Sequence, residues 1–126
     1  MPQFMLIGLC EPTSDDDVAN FERWFVDEHI EDTTNCPIFV RGRVFKLDGP
    51  HLEIETPSQY MSVYEVEAES YDEAERILNE WQADPDAWAG RAKHLATRER
   101  LGRMPMRVRG SGWYRLLGDH QGPASP

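Results

Sequence analysis

Almost every residue from Gln3 to Cys10 is apolar, and Glu11-Pro12 closes the run. A short apolar run bounded by a turn signal fits a strand at the centre of a sheet, buried on both sides. Such a strand needs neighbours on each edge and cover on its faces. The rest of the chain has to supply them.

The next signals are those of a helix. Ser14 is placed to cap free backbone N–H groups, Asp17 stands at the capping-box position, and the acids between them complement the positive helix end. Val18, Phe21 and Phe25, with Trp24 beside them, form an apolar stripe that runs to about Asp32. Thr33 to Pro37 then breaks the helix. From Ile38 to Leu47 the alternation predicts a second strand, with Phe39, Arg41, Arg43 and Phe45 on one face and Val40, Gly42 and Val44 on the other. Asp48-Gly49-Pro50 ends it, and His51 to Ser58 is a connection without a clear pattern.

Tyr60 to Ala68 reads as a third strand, with Tyr60, Ser62, Tyr64 and Val66 on one face and Met61, Val63 and Glu65 on the other. Ser70 and Glu73 open a second helix whose stripe is Ala74, Ile77, Leu78 and Trp81. Asp84-Pro85 predicts a third helix that carries Trp88, Ala92 and Leu95 inward and stops near Gly102. Met104 to Leu117 is the last strand, in which Gly110-Ser111-Gly112 marks a bulge, a turn or a close backbone approach. This order predicts an α+β fold: a ferredoxin-like split βαβ sandwich, one four-stranded antiparallel sheet with helices on a single face. Residues 1–118 form one domain, and 119–126 a flexible C-terminal tail.

Composition narrows the function. A chain of 126 residues that is 40% hydrophobic supports one core without a disulfide or structural metal. The net charge of -10 repels polyanions, so no nucleic-acid partner is expected, even though Arg91, Lys93, Arg98, Arg100, Arg103, Arg107, Arg109 and Arg115 crowd the last third. Those cations read as a solvated face or as partners for the acids. No run is long enough to span a bilayer, and Met1 to Cys10 lacks the parts of a signal peptide, so a cytoplasmic protein with no membrane partner is expected. Cys10 and Cys36 read as buried reduced thiols. His51, His94 and His120 show no metal-ligand spacing, and there is no nucleophile elbow, phosphate loop or dinucleotide fingerprint, so neither a metal nor a cofactor is expected.

At Trp24-Phe25-Val26-Asp27-Glu28-His29-Ile30, followed by Asp32, then Cys36-Pro37-Ile38-Phe39-Val40 and Arg43-Val44-Phe45, the chain resembles the dimeric α+β barrel superfamily, in particular its EthD-like branch. That branch shows an aromatic pair, an acidic dipeptide and a His at the end of the first helix, then a Pro and an arginine-bearing strand. The stretch Gln59 to Val66 resembles its third strand, and the likeness runs over residues 3–80. The segment around Trp88 and the Arg-rich final strand depart from the pattern. The resemblance implies a homodimer packed sheet to sheet, with a pocket for an apolar or aromatic metabolite between sheet and helices. It implies no single reaction, since isomerases, cyclases, dehydratases and cofactor-free monooxygenases share the fold.

His29 is the leading functional residue. It follows Phe25 by four residues and Phe21 by eight, which sets it on or beside the face that meets the sheet, and an imidazole titrates near neutrality. The competing reading is a core histidine satisfied by a carbonyl or a tyrosine. Asp32, three residues on, is placed to orient the ring. Tyr60 and Tyr64 share a strand face and can wall an apolar pocket or hold an oxygen, with plain core packing as the alternative. Arg43 can stabilise an enolate or serve in a salt bridge. Trp24, Phe25 and Trp113 complete the expected substrate contacts, Trp113 by closing the sheet or lining the cavity mouth.

The expected function is therefore an acid–base enzyme without a cofactor, a cyclase, dehydratase or isomerase acting on a hydrophobic, oxygenated, aromatic or polyketide-like molecule. His29, Asp32 and Tyr64 would be its catalytic residues. A cofactor-free monooxygenase and a non-catalytic binding protein on the same cavity are the alternatives.

Overall fold

The computed structural model describes residues 2–84, 86–87, 96, 99–100 and 106–124. Among them the chain forms β1 (Gln3–Pro12), α1 (Val18–Trp24), a π-helical turn (Phe25–His29), α2 (Ile30–Thr34), β2 (Phe39–Lys46), β3 (Tyr60–Glu67), α3 (Tyr71–Ala83) and β4 (Met106–Arg115). The four strands make one antiparallel sheet in the order β2-β3-β1-β4. The apolar run at the N-terminus is thus an inner strand, paired on both edges. The third helix expected over Asp84 to Leu101, with Trp88, Ala92 and Leu95, lies largely outside the described residues, as does His94.

Register assigns every strand residue to a face. Phe4, Leu6, Gly8 and Cys10 of β1 stand opposite Val66, Tyr64, Ser62 and Tyr60 of β3, so these eight share the face that meets the helices. The residues between them, Met5, Ile7 and Leu9 with Glu65, Val63 and Met61, share the outer face. The split of β3 between its faces is the one its alternation predicts.

In β2 the outcome differs. A register shift between Phe39 and Arg41 inserts one extra residue, Val40, so Phe39 pairs with Val66 and joins Gly42 and Val44 on the helix face. There Phe39 stacks on Tyr64, with ring centroids 5.0 Å apart. Arg41, Arg43 and Phe45 remain together on the outer face. Of the bulge, turn or close approach expected at Gly110-Ser111-Gly112, a bulge occurs just before it: β1 slips against β4 between Leu9 and Cys10, and Arg109 is the residue left over.

The helices bury their stripes on the helix face. Phe21 and Phe25 pack with Trp24, Cys10 and Tyr60, while Leu78 and Trp81 of α3 pack with Cys36. Ser70 caps α3 as its sequence predicts, accepting from the Glu73 N–H at 3.1 Å, and Glu73 accepts from the Glu69 N–H. Ser14 does not cap the first helix: its side chain makes no cap bond, and the helix enters through a 3-10 turn at Asp15–Asp17. Gly42 lets α2 approach β2, since a Cβ there would overlap Thr34 Oγ1 and crowd Ile30 and Tyr64. No helix among the described residues is long and apolar enough to cross a membrane.

Candidate functional site

The cross-strand row Val44, Ser62, Gly8 and Ser111 runs through the middle of the helix face. From Ser62 onward its members are small, and Ser111 is exposed. A side chain at Gly8 would collide with Ser62 Oγ, 2.7 Å from the position of a Cβ. On one side of this row stand Tyr64, Leu6 and Trp113, and on the other Tyr60, Cys10 and Val108. Tall residues flanking small ones make this row a shallow floor in the helix face.

The helix passes over this floor through the π-turn. The Ile30 N–H donates to Phe25 O, five residues back, instead of to the carbonyl four back. His29 lies between Phe25 and Thr33, four residues from each, and both of those are buried. The His29 ring is half-buried and stacks on Trp24 at 4.6 Å and on Phe25 at 5.8 Å. Asp32, one turn further on, is also half-buried, and its carbonyl accepts from the Asn35 N–H.

Tyr64 is only 3% exposed, and its Oη is buried without a hydrogen-bond partner. Burial pushes its hydroxyl up to about 12, an effect that the neighbouring Thr33 and Ser62 hydroxyls reduce without either completing a bond to it. Tyr64 therefore stays protonated at neutral pH, a donor with nothing to donate to. Cys10 lies close by, its thiol pushed up to about 11 by burial and then by Glu11. Both cysteines are free and buried.

The other expected residues divide. Trp24 and Phe25 are buried against the sheet and support His29. Trp113 faces the helices among Leu6, Leu78 and Trp81, and its indole N–H donates to Glu75, so it closes the sheet against α3. Arg43 is not brought to this place. It projects from the outer face, where it pairs with Glu65 at 3.3 Å and lies over the Phe45 ring. Its alternation with Arg41 and Phe45 is as expected; the outer face is simply the one that the helices among the described residues do not cover.

Tyr60 belongs to a cluster that the sequence does not signal. Its Oη donates to Glu22 Oε1 at 2.5 Å, and Lys46 Nζ donates to the same oxygen at 2.7 Å. The Lys46 bond, and after it the Tyr60 bond, hold Glu22 below the usual carboxylate range. Burial, and then Glu22, raise Tyr60. Glu22 and Lys46 are 24 residues apart with no shared motif, so only the fold reveals them.

Away from this floor, a groove of about 600 Å³ opens at one end of the sheet, lined by Met5, Val40, Glu65, Tyr114 and Leu117. A second concavity of about 450 Å³ lies between Ser14, Leu47, Thr56 and Arg107.

No family model matches the sequence. No curated protein matches it either. Among solved structures, the chain is similar to the crystal structure of HapK from Hahella chejuensis, at 14% identity and a TM-score of 0.60, over 96% of this chain and 99% of that one. An ethyl tert-butyl ether d (EthD) family protein from Bacillus halodurans C-125 aligns at 13% identity with a TM-score of 0.47, over 89% of this chain and 97% of that one. The likeness to HapK is one of fold: the chain has the α+β architecture that its element order predicts, one four-stranded antiparallel sheet with helices packed on it.

Proposed function

We propose that the chain is a cofactor-independent enzyme that moves a proton on a hydrophobic, oxygenated small molecule, as a cyclase, dehydratase or isomerase does. The observation that carries this reading is the buried, protonated and unpartnered Oη of Tyr64 beneath the helix that bears His29. An unsatisfied buried donor costs stability, and a ligand oxygen placed there removes the cost. Tyr64 holds the oxygen on which negative charge develops, His29 takes the proton from the adjacent carbon, and Asp32 orients the imidazole. Of the two groups considered for the oxygen, Tyr64 is favoured because Arg43 stands on the opposite face of the sheet. Trp24, Phe25 and Tyr60 supply the apolar wall.

The enzyme acts as a homodimer. Ile7, Leu9, Met61 and Val63 cluster on the outer face, which the helices among the described residues do not cover, and a second copy packed sheet to sheet would complete their burial.

The test needs no knowledge of the natural substrate. An aromatic enolisable diketone, 1-phenylbutane-1,3-dione, is incubated with the protein in D2O, and loss of its C2–H signal is followed by NMR. Saturable exchange is expected, falling by about a hundredfold or more in His29→Gln while binding of the diketone changes little. Exchange by His29→Gln at the wild-type rate would overturn the assignment. Binding without exchange by the wild type would favour a carrier, and oxygen uptake with the diketone a monooxygenase.

A further inference from the structure

We propose that Glu22 is a positioning residue for the His29 imidazole, acting through Tyr60 and the stacked rings of Phe21 and Phe25; this rests on reading His29 as the group that moves the proton. Glu22 sits on the rim of the first helix, where an ion pair with Lys46 alone would contribute little. The same carboxylate oxygen, however, also takes the proton of Tyr60, a buried residue at the start of β3. One oxygen thus ties α1 to the end of β2 through Lys46 and to the start of β3 through Tyr60.

What Tyr60 touches gives the tie its consequence. Its ring meets Phe21 edge-on at 4.7 Å and Phe25 edge-on at 6.1 Å. Phe21 stacks on Phe25 at 5.0 Å, and Phe25 in turn stacks on His29, with planes 14° apart. Tyrosine rings are otherwise fixed only by packing. Here the hydroxyl is pinned as well, so the edge against which Phe21 and Phe25 rest is held at both ends. The imidazole at the far side of the stack takes its placement in part from these ring contacts. Lys46, lying 5.9 Å over the Tyr60 ring, adds only an exposed ion pair to the same carboxylate, so the Tyr60 bond does not depend on it.

The experiment reads His29 directly, in the intact protein labelled with ¹⁵N-histidine. Long-range ¹H–¹⁵N spectra report the imidazole, assigned by its absence in His29→Gln. Glu22→Ala and Tyr60→Phe are both expected to move the His29 signals, and to slow diketone exchange about tenfold with little change in KM, as a displacement of well under 1 Å would. Glu22→Gln should restore both readouts, because its amide oxygen still accepts from Tyr60. Lys46→Met should leave the His29 signals close to wild type. Unmoved signals and an unchanged rate in folded Glu22→Ala and Tyr60→Phe would overturn the proposal, as would a Glu22→Gln variant as impaired as Glu22→Ala. Should Glu22→Ala fail to fold, Tyr60→Phe, which keeps the ring and loses only the bond, decides the matter. The spectra require no diketone, so a wild type that exchanges nothing defeats the acid–base reading while the positioning of His29 is still decided.

Discussion

The imidazole of His29 lies on the indole of Trp24, with ring centroids 4.6 Å apart and planes 26° from parallel. Five residues separate them, a spacing that on an α-helix sends side chains in different directions. The π-turn removes the difference, because its wider coil brings residues four and five apart over one another. His29 consequently rests on Trp24 and Phe25 together. The ring lies half-buried against two aromatic faces instead of being enclosed in the close-packed core.

That arrangement sets how much stability each residue supplies. His29→Ala should cost about 1 kcal/mol, the worth of a ring contact at a half-buried site. Phe25→Ala should cost about 3–5 kcal/mol, since Phe25 is fully buried and its loss leaves a cavity. Urea denaturation of the two variants makes the comparison. Equal losses would assign His29 to the core and remove the case for a pocket residue.

The sheet was legible from residue periodicity because burial on one face leaves a two-residue rhythm that nothing else imitates. Tyr60, Ser62, Tyr64 and Val66 show it, and the Ser70 cap is equally local. The rest fails to appear in the sequence for particular reasons. One inserted residue at Val40 turns Phe39 to the other face, and no residue type marks such a bulge. A π-turn departs from the 3.6-residue rhythm by a single position, so the stripe of Val18, Phe21 and Phe25 looks the same with or without it. Arg43 could be assigned to a strand face, but which face the helices cover is a property of the assembled sheet. Glu22 and Lys46 are ordinary exposed charges until the fold joins them to Tyr60.

Gly42 is required by the approach of α2 to β2. Gly42→Ala should cost about 1–3 kcal/mol, because the new methyl overlaps Thr34 Oγ1 while Ile30 and Tyr64 leave it no room. Thr34 is itself fixed, its hydroxyl donating to Ile30 O at 2.5 Å. Combining Gly42→Ala with Thr34→Ala should recover part of the loss, a non-additivity measurable by a double-mutant cycle. Strict additivity would place the strain elsewhere.

The outer face predicts the oligomeric state. Light scattering should report about twice the 14.6 kDa chain mass. Ile7, at the centre of that face opposite Val63 and Gly112, is the position to test. Ile7→Asp places a charge where a second sheet would exclude water, so it should yield monomers that keep their far-ultraviolet spectrum. A wild-type monomer, or a dimer indifferent to Ile7→Asp, would remove the sheet-to-sheet interface.

Tyr64→Phe separates stability from function at one atom. The Oη is buried and bonds to nothing, so deleting it removes a desolvation cost and breaks no hydrogen bond; the variant should be as stable as the wild type or more so by about 1 kcal/mol at neutral pH. The alkaline limb should change as well. A hydroxyl held at about 12 in the folded chain ionises near 10 once unfolded, so the unfolded state loses its proton first as pH rises. Its contribution is intact below pH 10 and is lost between about 10 and 12, on the order of 3 kcal/mol. Urea midpoints measured across that range should fall less steeply in Tyr64→Phe than in the wild type. Diketone exchange should meanwhile drop by about a hundredfold, the worth of one oxyanion donor. A variant that loses stability at neutral pH would show that the hydroxyl is bonded within the protein. One that keeps full activity would show that no ligand oxygen uses it.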